Sequence, residues 1–202
     1  MVDRTPLDPG AFLRDHVAPR SRRRIDELRE QIARLEGELA DRLAAEATIE
    51  LVLEGDGGGV WYLNLRQGDT QVAAAPAAPP VIRVYQSRAD WNALARSEVA
   101  PGAVSEGGTP AGDLTSAHIV RLQNLQGALE IRLQADDGEL RTVVQFGAGE
   151  RAAPRCTLRL RIEDARRLRC GQLAPQVAFL QGLVKLEGDL AFAMQIGTAL
   201  FL

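Results

Sequence analysis

The stretch that decides the fold is the C-terminal sequence from Cys170 to Leu202, CGQLAPQVAFLQGLVKLEGDLAFAMQIGTALFL. From Leu173 onward it contains only three charged residues, Lys185, Glu187 and Asp189, in a chain that is otherwise rich in arginine. A segment with so few charges buries most of its side chains, so it must lie at the centre of whatever the chain builds.

Turn residues divide this stretch into three elements. Pro175 suits the first turn of a short helix, where its missing N–H costs nothing, and Gln181-Gly182 ends that helix. Residues 183–187 then alternate like a half-buried strand, and Gly188-Asp189 forms a turn. Residues 190–202 are apolar on nearly every side, so the helix that they form must be covered by protein or must itself cover something apolar.

These elements resemble the sterol carrier protein 2 (SCP2) family of lipid-binding domains. The matching motifs are Gly171-Gln172-Leu173-Ala174-Pro175, Ala178-Phe179-Leu180-Gln181-Gly182 and Val184-Lys185-Leu186-Glu187-Gly188, followed by Phe192, Met194 and Ile196. The resemblance implies an α+β fold in which helices cover one face of a mixed, largely antiparallel sheet. It also implies a hydrophobic tunnel, walled by the terminal helix and the strand before it, that holds fatty acyl or sterol-like ligands without chemistry.

The resemblance assigns the tunnel wall to nine residues: Phe179, Leu180, Gln181, Val184, Leu186, Phe192, Met194, Ile196 and Leu200. Gln181 would lie at the rim, where it can bond a head group, and Met194 would give the wall flexibility. Periodicity alone favours ordinary core for the apolar members, so the tunnel follows from the resemblance and not from the pattern.

Composition indicates an ordinary soluble protein. The 202 residues are 46% apolar and 25% charged, and the net charge of −3 is too small to favour a nucleic-acid partner. Two cysteines and no secretion signal favour a reducing compartment. The nearly uncharged run 190–202 is 13 residues long, well short of the roughly 20 that span a bilayer. We therefore expect a cytoplasmic protein.

No catalytic, metal or cofactor site is predicted. The two histidines, His16 and His118, have no acid or nucleophile at a catalytic spacing, and the chain lacks a Gly-x-Ser-x-Gly motif. Cys156 and Cys170 have no neighbouring ligand pair. The chain is therefore predicted not to be an enzyme.

A long amphipathic helix is predicted near the N-terminus, over residues 21–47, after a flexible arm at 1–20. Its apolar residues recur at spacings of 3, 4, 3 and 4, namely Ile25, Leu28, Ile32, Leu35 and Leu39. Isoleucine at the a positions and leucine at the d positions favours a two-stranded parallel coiled coil, although the same stripe could lie on a sheet. We expect a homodimer through residues 22–46. The arginine cluster at its start, Arg20 and 22–24, allows transient contact with a membrane surface.

The order helix, hairpin, strand, helix occurs twice, at an offset near 80 residues. Residues 48–97 are predicted to form a first, incomplete SCP2-like lobe, residues 98–113 a linker rich in glycine and proline, and residues 114–202 a second lobe with the C-terminal motifs. Either the domain is duplicated, or one domain contains an insertion.

The sequence thus favours non-catalytic binding or carriage of a lipid, acyl or isoprenoid-like molecule in an apolar tunnel. Two alternatives stay open: a scaffold or assembly protein that uses the fold without a ligand, and an accessory subunit of a lipid or quinone biosynthetic enzyme. Carriage predicts a cavity of several hundred Å³, whereas scaffolding predicts a filled interior.

Overall fold

The computed structural model describes residues 8–97, 114–136, 138–149 and 151–201, so the predicted linker at 98–113 lies outside the described residues. The chain divides into two compact units, with the boundary between Asp41 and Arg42.

The first unit is helical from Pro9 onward. The Asp8 carboxylate accepts hydrogen bonds from the amides of Gly10 and Ala11, and Pro9 occupies the first turn of α1 (Pro9–Phe12). A π-helical segment, Leu13–Val17, leads into α2 (Ala18–Leu43). The helix therefore begins well before Ser21, and residues 9–20 are helical where an irregular arm was expected.

The predicted apolar stripe runs along α2, and its side chains are exposed. Relative exposures range from 37% at Leu28 to 58% at Leu35. Ion pairs one turn apart on the same helix, such as Arg24–Glu27 at 3.4 Å and Arg34–Glu38 at 3.7 Å, support the polar side.

The described residues of the second unit contain an eight-stranded mixed sheet with the strand order β3-β2-β1-β4-β6-β5-β7-β8. The strands of its first half are β1 (Ala47–Glu54), β2 (Gly59–Arg66), β3 (Asp69–Ala73) and β4 (Ile82–Ser87), followed by α3 (Arg88–Arg96). The second half contains α4 (Ser116–Gln123), β5 (Gly127–Ala135), β6 (Gly138–Phe146), β7 (Pro154–Arg161), α5 (Ile162–Arg169), α6 (Pro175–Leu180), β8 (Lys185–Gly188) and α7 (Leu190–Phe201). The short helix, the strand and the terminal helix predicted from Pro175 onward are present as α6, β8 and α7, and the α+β prediction is confirmed.

The strand pairing repeats across the sheet. β1 pairs antiparallel with β2 and parallel with β4, while β5 pairs antiparallel with β6 and parallel with β7. The two sets are joined by antiparallel pairing of β4 with β6. This geometry is what a duplicated unit would produce, although the division into two lobes stays a prediction.

The helices α3, α4, α5 and α7 pack on the same face of the sheet. Leu129, Ile131 and Leu133 of β5 share that face. One core cluster joins the start of β5 to α4 and α7 through residues such as Leu122, Phe146 and Phe192. A second core cluster joins the end of β5 to α3 and α5. The apolar face is thus divided between two pairs of helices.

The opposite face contains an ion-paired glutamate on each central strand, buried in the case of Glu130 and half-buried in the case of Glu50. Glu130 of β5, 3% exposed, accepts hydrogen bonds from Nε of Arg132 at 2.7 Å and Nε of Arg141 at 2.9 Å. Glu50 of β1 accepts from Nε of Arg83 at 2.8 Å and the Tyr62 hydroxyl at 3.3 Å. Burial alone would raise the pKa of Glu130, but the hydrogen bonds from Arg141 and Arg132 outweigh burial and hold that pKa below its ordinary value.

Candidate functional site

The candidate site is built on α6, β8 and α7. α6 begins with Pro175 in its first turn and ends at Gly182, whose φ of +69° lets the chain reverse. The amides of Leu183 and Val184 both donate to the carbonyl of Ala178, at 3.0 and 3.3 Å. The reversal delivers β8 to the outer side of β7, with Leu186 opposite Leu158.

A close approach between β7 and β8 fixes where α7 starts. Gly188 has a φ of +92°, and a Cβ there would lie 2.5 Å from the carbonyl oxygen of Arg155, so only glycine fits. The next residue, Asp189, caps α7 by accepting a hydrogen bond from the Phe192 amide at 2.9 Å. The hydrogen bond from the Phe192 amide is the largest cause of a lowered pKa for Asp189, and the hydrogen bond from Arg155 is the second.

Arg155 fastens the start of α7 to the sheet. Its guanidinium donates to Asp189 Oδ2 at 2.5 Å and to the carbonyl oxygen of Gln126 at 2.9 Å, and it lies 4.4 Å from the centre of the Phe192 ring. Gly127, with a φ of +136°, leaves the space that Arg155 and Phe192 occupy. Arg155 therefore ties together β5, β7 and α7.

The inner side of α7 is closely packed. Phe192 is fully buried and meets Phe146 edge to face, with ring centres 6.2 Å apart. Ile196 and Ala199 follow at 7% and 3% exposure, and they pack in the same cluster as Leu122 of α4. Side chains of the protein thus occupy the space directly beneath α7.

The nine predicted site residues fall into three groups. Four of them belong to or pack against the cluster beneath α7: Leu186, Phe192, Ile196 and Leu200. Val184 packs instead with the cluster beneath α3 and α5. The other four are exposed: Phe179, Leu180, Gln181 and Met194. The structure therefore brings together about half of the set, and the tunnel role of these residues stays a prediction.

An apolar groove of about 360 Å³ lies between α4 and α7. Its floor includes Leu125 and Ala199, and the exposed side chain of Met194 forms part of its wall. The polar groups at its border are Arg121, Asn124, Gln195 and Thr198. The groove combines an apolar surface with a few polar groups at the rim, which is the usual composition of a small-molecule site.

A larger cleft of about 810 Å³ lies at the end of the sheet where β5 and β7 finish and β6 and β8 begin. Its charged lining is balanced between four basic and four acidic residues: Arg132, Arg159, Arg161, Lys185, Asp136, Glu139, Asp164 and Glu187. Balanced, water-exposed charge gives neither an apolar ligand nor an anion a strong reason to bind.

Sequence reasoning missed Arg155 and the groove residues of α4. The start of α7 was predicted correctly, because the turn Gly188-Asp189 directly precedes the apolar run that begins at Leu190. Nothing in the sequence marks Arg155 among so many arginines.

Cys156, buried beneath α7, has a pKa raised chiefly by burial, which keeps the thiol protonated.

Across the described ranges, no group of three or more His, Cys, Asp or Glu side chains could hold a metal ion. In the same part of the chain, no helix has both the length and the apolar character that crossing a bilayer requires.

Comparison with known proteins places the match on the second half of the sheet. Residues 115–201, less than half of the chain, match the model of the SCP-2 sterol transfer family. No curated protein sequence matches the chain.

Solved structures similar to the chain include three sterol carrier proteins. Sterol carrier protein 2 like 2 from Aedes aegypti is 16% identical, with a TM-score of 0.32, over 56% of this chain and 90% of that one. Sterol carrier protein domain 2 of Helicoverpa armigera is 26% identical, with a TM-score of 0.31, over 39% and 68%. Sterol carrier protein 2 from Yarrowia lipolytica, in its apo form, is 19% identical, with a TM-score of 0.29, over 37% and 66%.

Proposed function

Because residues 115–201 match the model of the SCP-2 sterol transfer family, we propose that the protein binds and carries a lipid-like hydrophobic molecule, without catalysis, in an apolar tunnel closed by α7. The observation that carries this proposal is the family match over the very elements that enclose the groove between α4 and α7. In this proposal the groove is the mouth of the tunnel.

The chemistry of α7 supports the proposal. Phe192 and Ile196 on its inner side are buried in the core. Leu190 and Met194 on its other sides are 54% and 66% exposed, although both are apolar. A helix that only covered a core would carry polar residues at such positions. Transfer of an acyl chain from water onto this surface gains about 0.8 kcal/mol for each buried CH₂.

The closed interior sets a condition on this function. Phe192 of α7 and Leu122 of α4 are fully buried, so an acyl chain longer than the groove can enter only if α7 moves away from the sheet. β8, which precedes α7, has only four residues, so movement of α7 together with β8 breaks few backbone hydrogen bonds.

The filled interior equally favours the scaffold alternative, in which the fold is kept without a ligand. An accessory role beside an enzyme of lipid or quinone synthesis is compatible with carriage. In both cases we propose a homodimer through residues 22–46, a cytoplasmic location, and at most transient contact with a membrane surface.

Titration with a fluorescent fatty acid tests the tunnel mouth. Met194→Glu places a charge in the groove at an exposed position, so the fold should be kept while affinity falls at least about tenfold. Val72→Glu is the matched control, because Val72 is 70% exposed on β3 and does not line the groove. Equal affinities in the two variants would refute binding at the groove.

Native mass spectrometry of the protein purified from its own cells decides between carriage and scaffolding. Carriage predicts a co-purifying species with an acyl, sterol or isoprenoid mass, lost or reduced in Met194→Glu. A bare polypeptide in every preparation, together with no uptake of the fatty acid, would leave the scaffold function.

A further inference from the structure

The charges of α2 are segregated along its length. Residues 18–29 carry five arginines and two acidic residues, a net charge of +3. Residues 30–43 carry four acidic residues and two arginines, a net charge of −2. α2 therefore has a basic first half and an acidic second half.

The exposed stripe of α2 follows heptad positions. Ile25, Ile32 and Leu39 occupy a positions, and Leu28 and Leu35 occupy d positions. All five are between 37% and 58% exposed, so a partner helix would remove a continuous apolar seam from water. The e and g positions beside the seam, which set helix orientation in coiled coils, are mostly charged: Arg22, Arg24, Arg29, Glu36 and Glu38.

A parallel pairing of two copies brings like charges together. In that arrangement a g residue faces the e residue of the next heptad, so Arg24 of each copy meets Arg29 of the other. The later g positions, Gln31 and Glu38, face Glu36 and Leu43, which adds no attractive pair.

An antiparallel pairing brings opposite charges together. In the register that places Ile25 beside Leu35 of the second copy, Arg22 lies opposite Glu36, and Arg24 opposite Glu38. The two-fold symmetry of the dimer forms each attractive pair twice. Arg29 lies opposite Arg29 of the second copy, which is the one unfavourable contact among the charged residues beside the seam. The four central layers of the seam, formed by Ile25, Leu28, Ile32 and Leu35, stay fully apolar.

We propose that α2 pairs with a second copy of itself in the antiparallel orientation, with the basic half of each helix against the acidic half of the other. The inference rests on the homodimer included in the proposed function and adds its orientation. Isoleucine at a and leucine at d favour two strands and, taken alone, the parallel orientation expected from the sequence, whereas the charges beside the seam favour the antiparallel one.

Disulfide mapping in the full-length chain tests the orientation. The exposed Cys170 is first replaced by serine, and the buried Cys156 is kept. Ile25→Cys is then oxidised alone and as a mixture with Leu35→Cys or Arg42→Cys. In the proposed pairing, residues 25 and 35 cross-link, or 25 and 42 if the seam shifts by one heptad. Ile25→Cys alone should not, because its two copies lie at least about 15 Å apart along the coil.

Charge reversal gives a second test, because it changes the dimer Kd in opposite directions for the two orientations. Arg24→Glu should raise the dimer Kd about tenfold in the antiparallel pair, and Glu38→Arg added to it should restore affinity. In a parallel pair, Arg24→Glu would instead tighten association, because the introduced carboxylate would face Arg29 of the other copy. Circular dichroism checks that loss of the Arg24–Glu27 ion pair leaves the helix formed.

The outcomes separate the orientation from the function on which it rests. Cross-linking of Ile25→Cys alone overturns the orientation and leaves the homodimer. Monomers at every concentration in analytical ultracentrifugation overturn both. Dimers that cross-link at none of these pairs overturn association through α2, and the fatty-acid titration judges carriage independently in every case.

Discussion

In the first half of the sheet, β1 lies between its hairpin partner β2 and the parallel strand β4, and in the second half β5 lies between β6 and β7 in the same way. Each central strand has a glutamate as its fourth residue, the half-buried Glu50 or the buried Glu130, and each is paired with arginine on the same face. The two halves thus share both their topology and an unusual polar feature.

The cover of the two halves differs. Among the described residues, α3 is the helix that follows the first half, whereas the second half continues into α6, β8 and α7 and is preceded by α4. The groove is lined by α7, which has no counterpart after α3 in the described part of the chain, and by the end of α4. The family match covers both of these helices together with β5, β6 and β7. The shared strands therefore provide the framework, and the C-terminal elements provide the candidate site.

The largest expected effect separates the core role of α7 from its surface role. Phe192→Ala should lower the free energy of unfolding by about 4 kcal/mol, because it removes a fully buried ring that contacts Phe146 and Arg155. Met194→Ala, on the same helix but 66% exposed, should change it by less than about 0.5 kcal/mol. Urea denaturation measures both, and a similar small loss in the two would mean that α7 is not packed on the sheet.

A smaller effect compares Glu130 and Glu50 directly. Glu130→Gln should cost about 2 kcal/mol, because the carboxylate accepts charged hydrogen bonds from two arginines. Glu50→Gln should cost about 1 kcal/mol, because Arg83 keeps its second bond to the Gly147 carbonyl oxygen at 2.9 Å. Equal losses would show that the halves are matched in energy as well as in topology.

The smallest effect is the pH dependence of the stability difference between the wild type and Glu130→Gln. The pKa of Glu130 is lowered in the fold from its ordinary 4.5, so the unfolded chain takes up a proton first as the pH falls. Its stabilising contribution is therefore present above pH 4.5 and is lost as the pH drops through the lower, folded pKa. The stability gap between the wild type and Glu130→Gln should narrow as the pH falls below 4.5, and a constant gap would contradict this assignment.

Much of the second unit could be predicted because its local signals agree. Pro175, Gly182 and Gly188 mark the ends of α6 and β8, and each has the backbone geometry that its residue type favours. The early start of the first helix also had a signal, Asp8-Pro9, which is a capping residue followed by proline.

Two features could not be predicted from local pattern. The inner and outer sides of α7 could not be told apart, because apolar residues surround the helix and its periodicity does not choose a face. The burial of Glu130 was also hidden, since alternation assigns it to the wet side and the covering arginines come from other positions along the chain. Pairing of β4 with β6 joins residues about 60 apart, and no turn residue signals it.

That pairing has a practical consequence for anyone who cuts the chain. Residues 115–201 alone would leave β6 as an open edge over Thr142–Phe146, with free amides and carbonyls beside apolar side chains such as Val144. An unprotected edge of this kind recruits further strands, so the excised piece should aggregate unless residues 42–97 are supplied. We therefore expect that the stretch that the family model matches does not form a stable protein by itself.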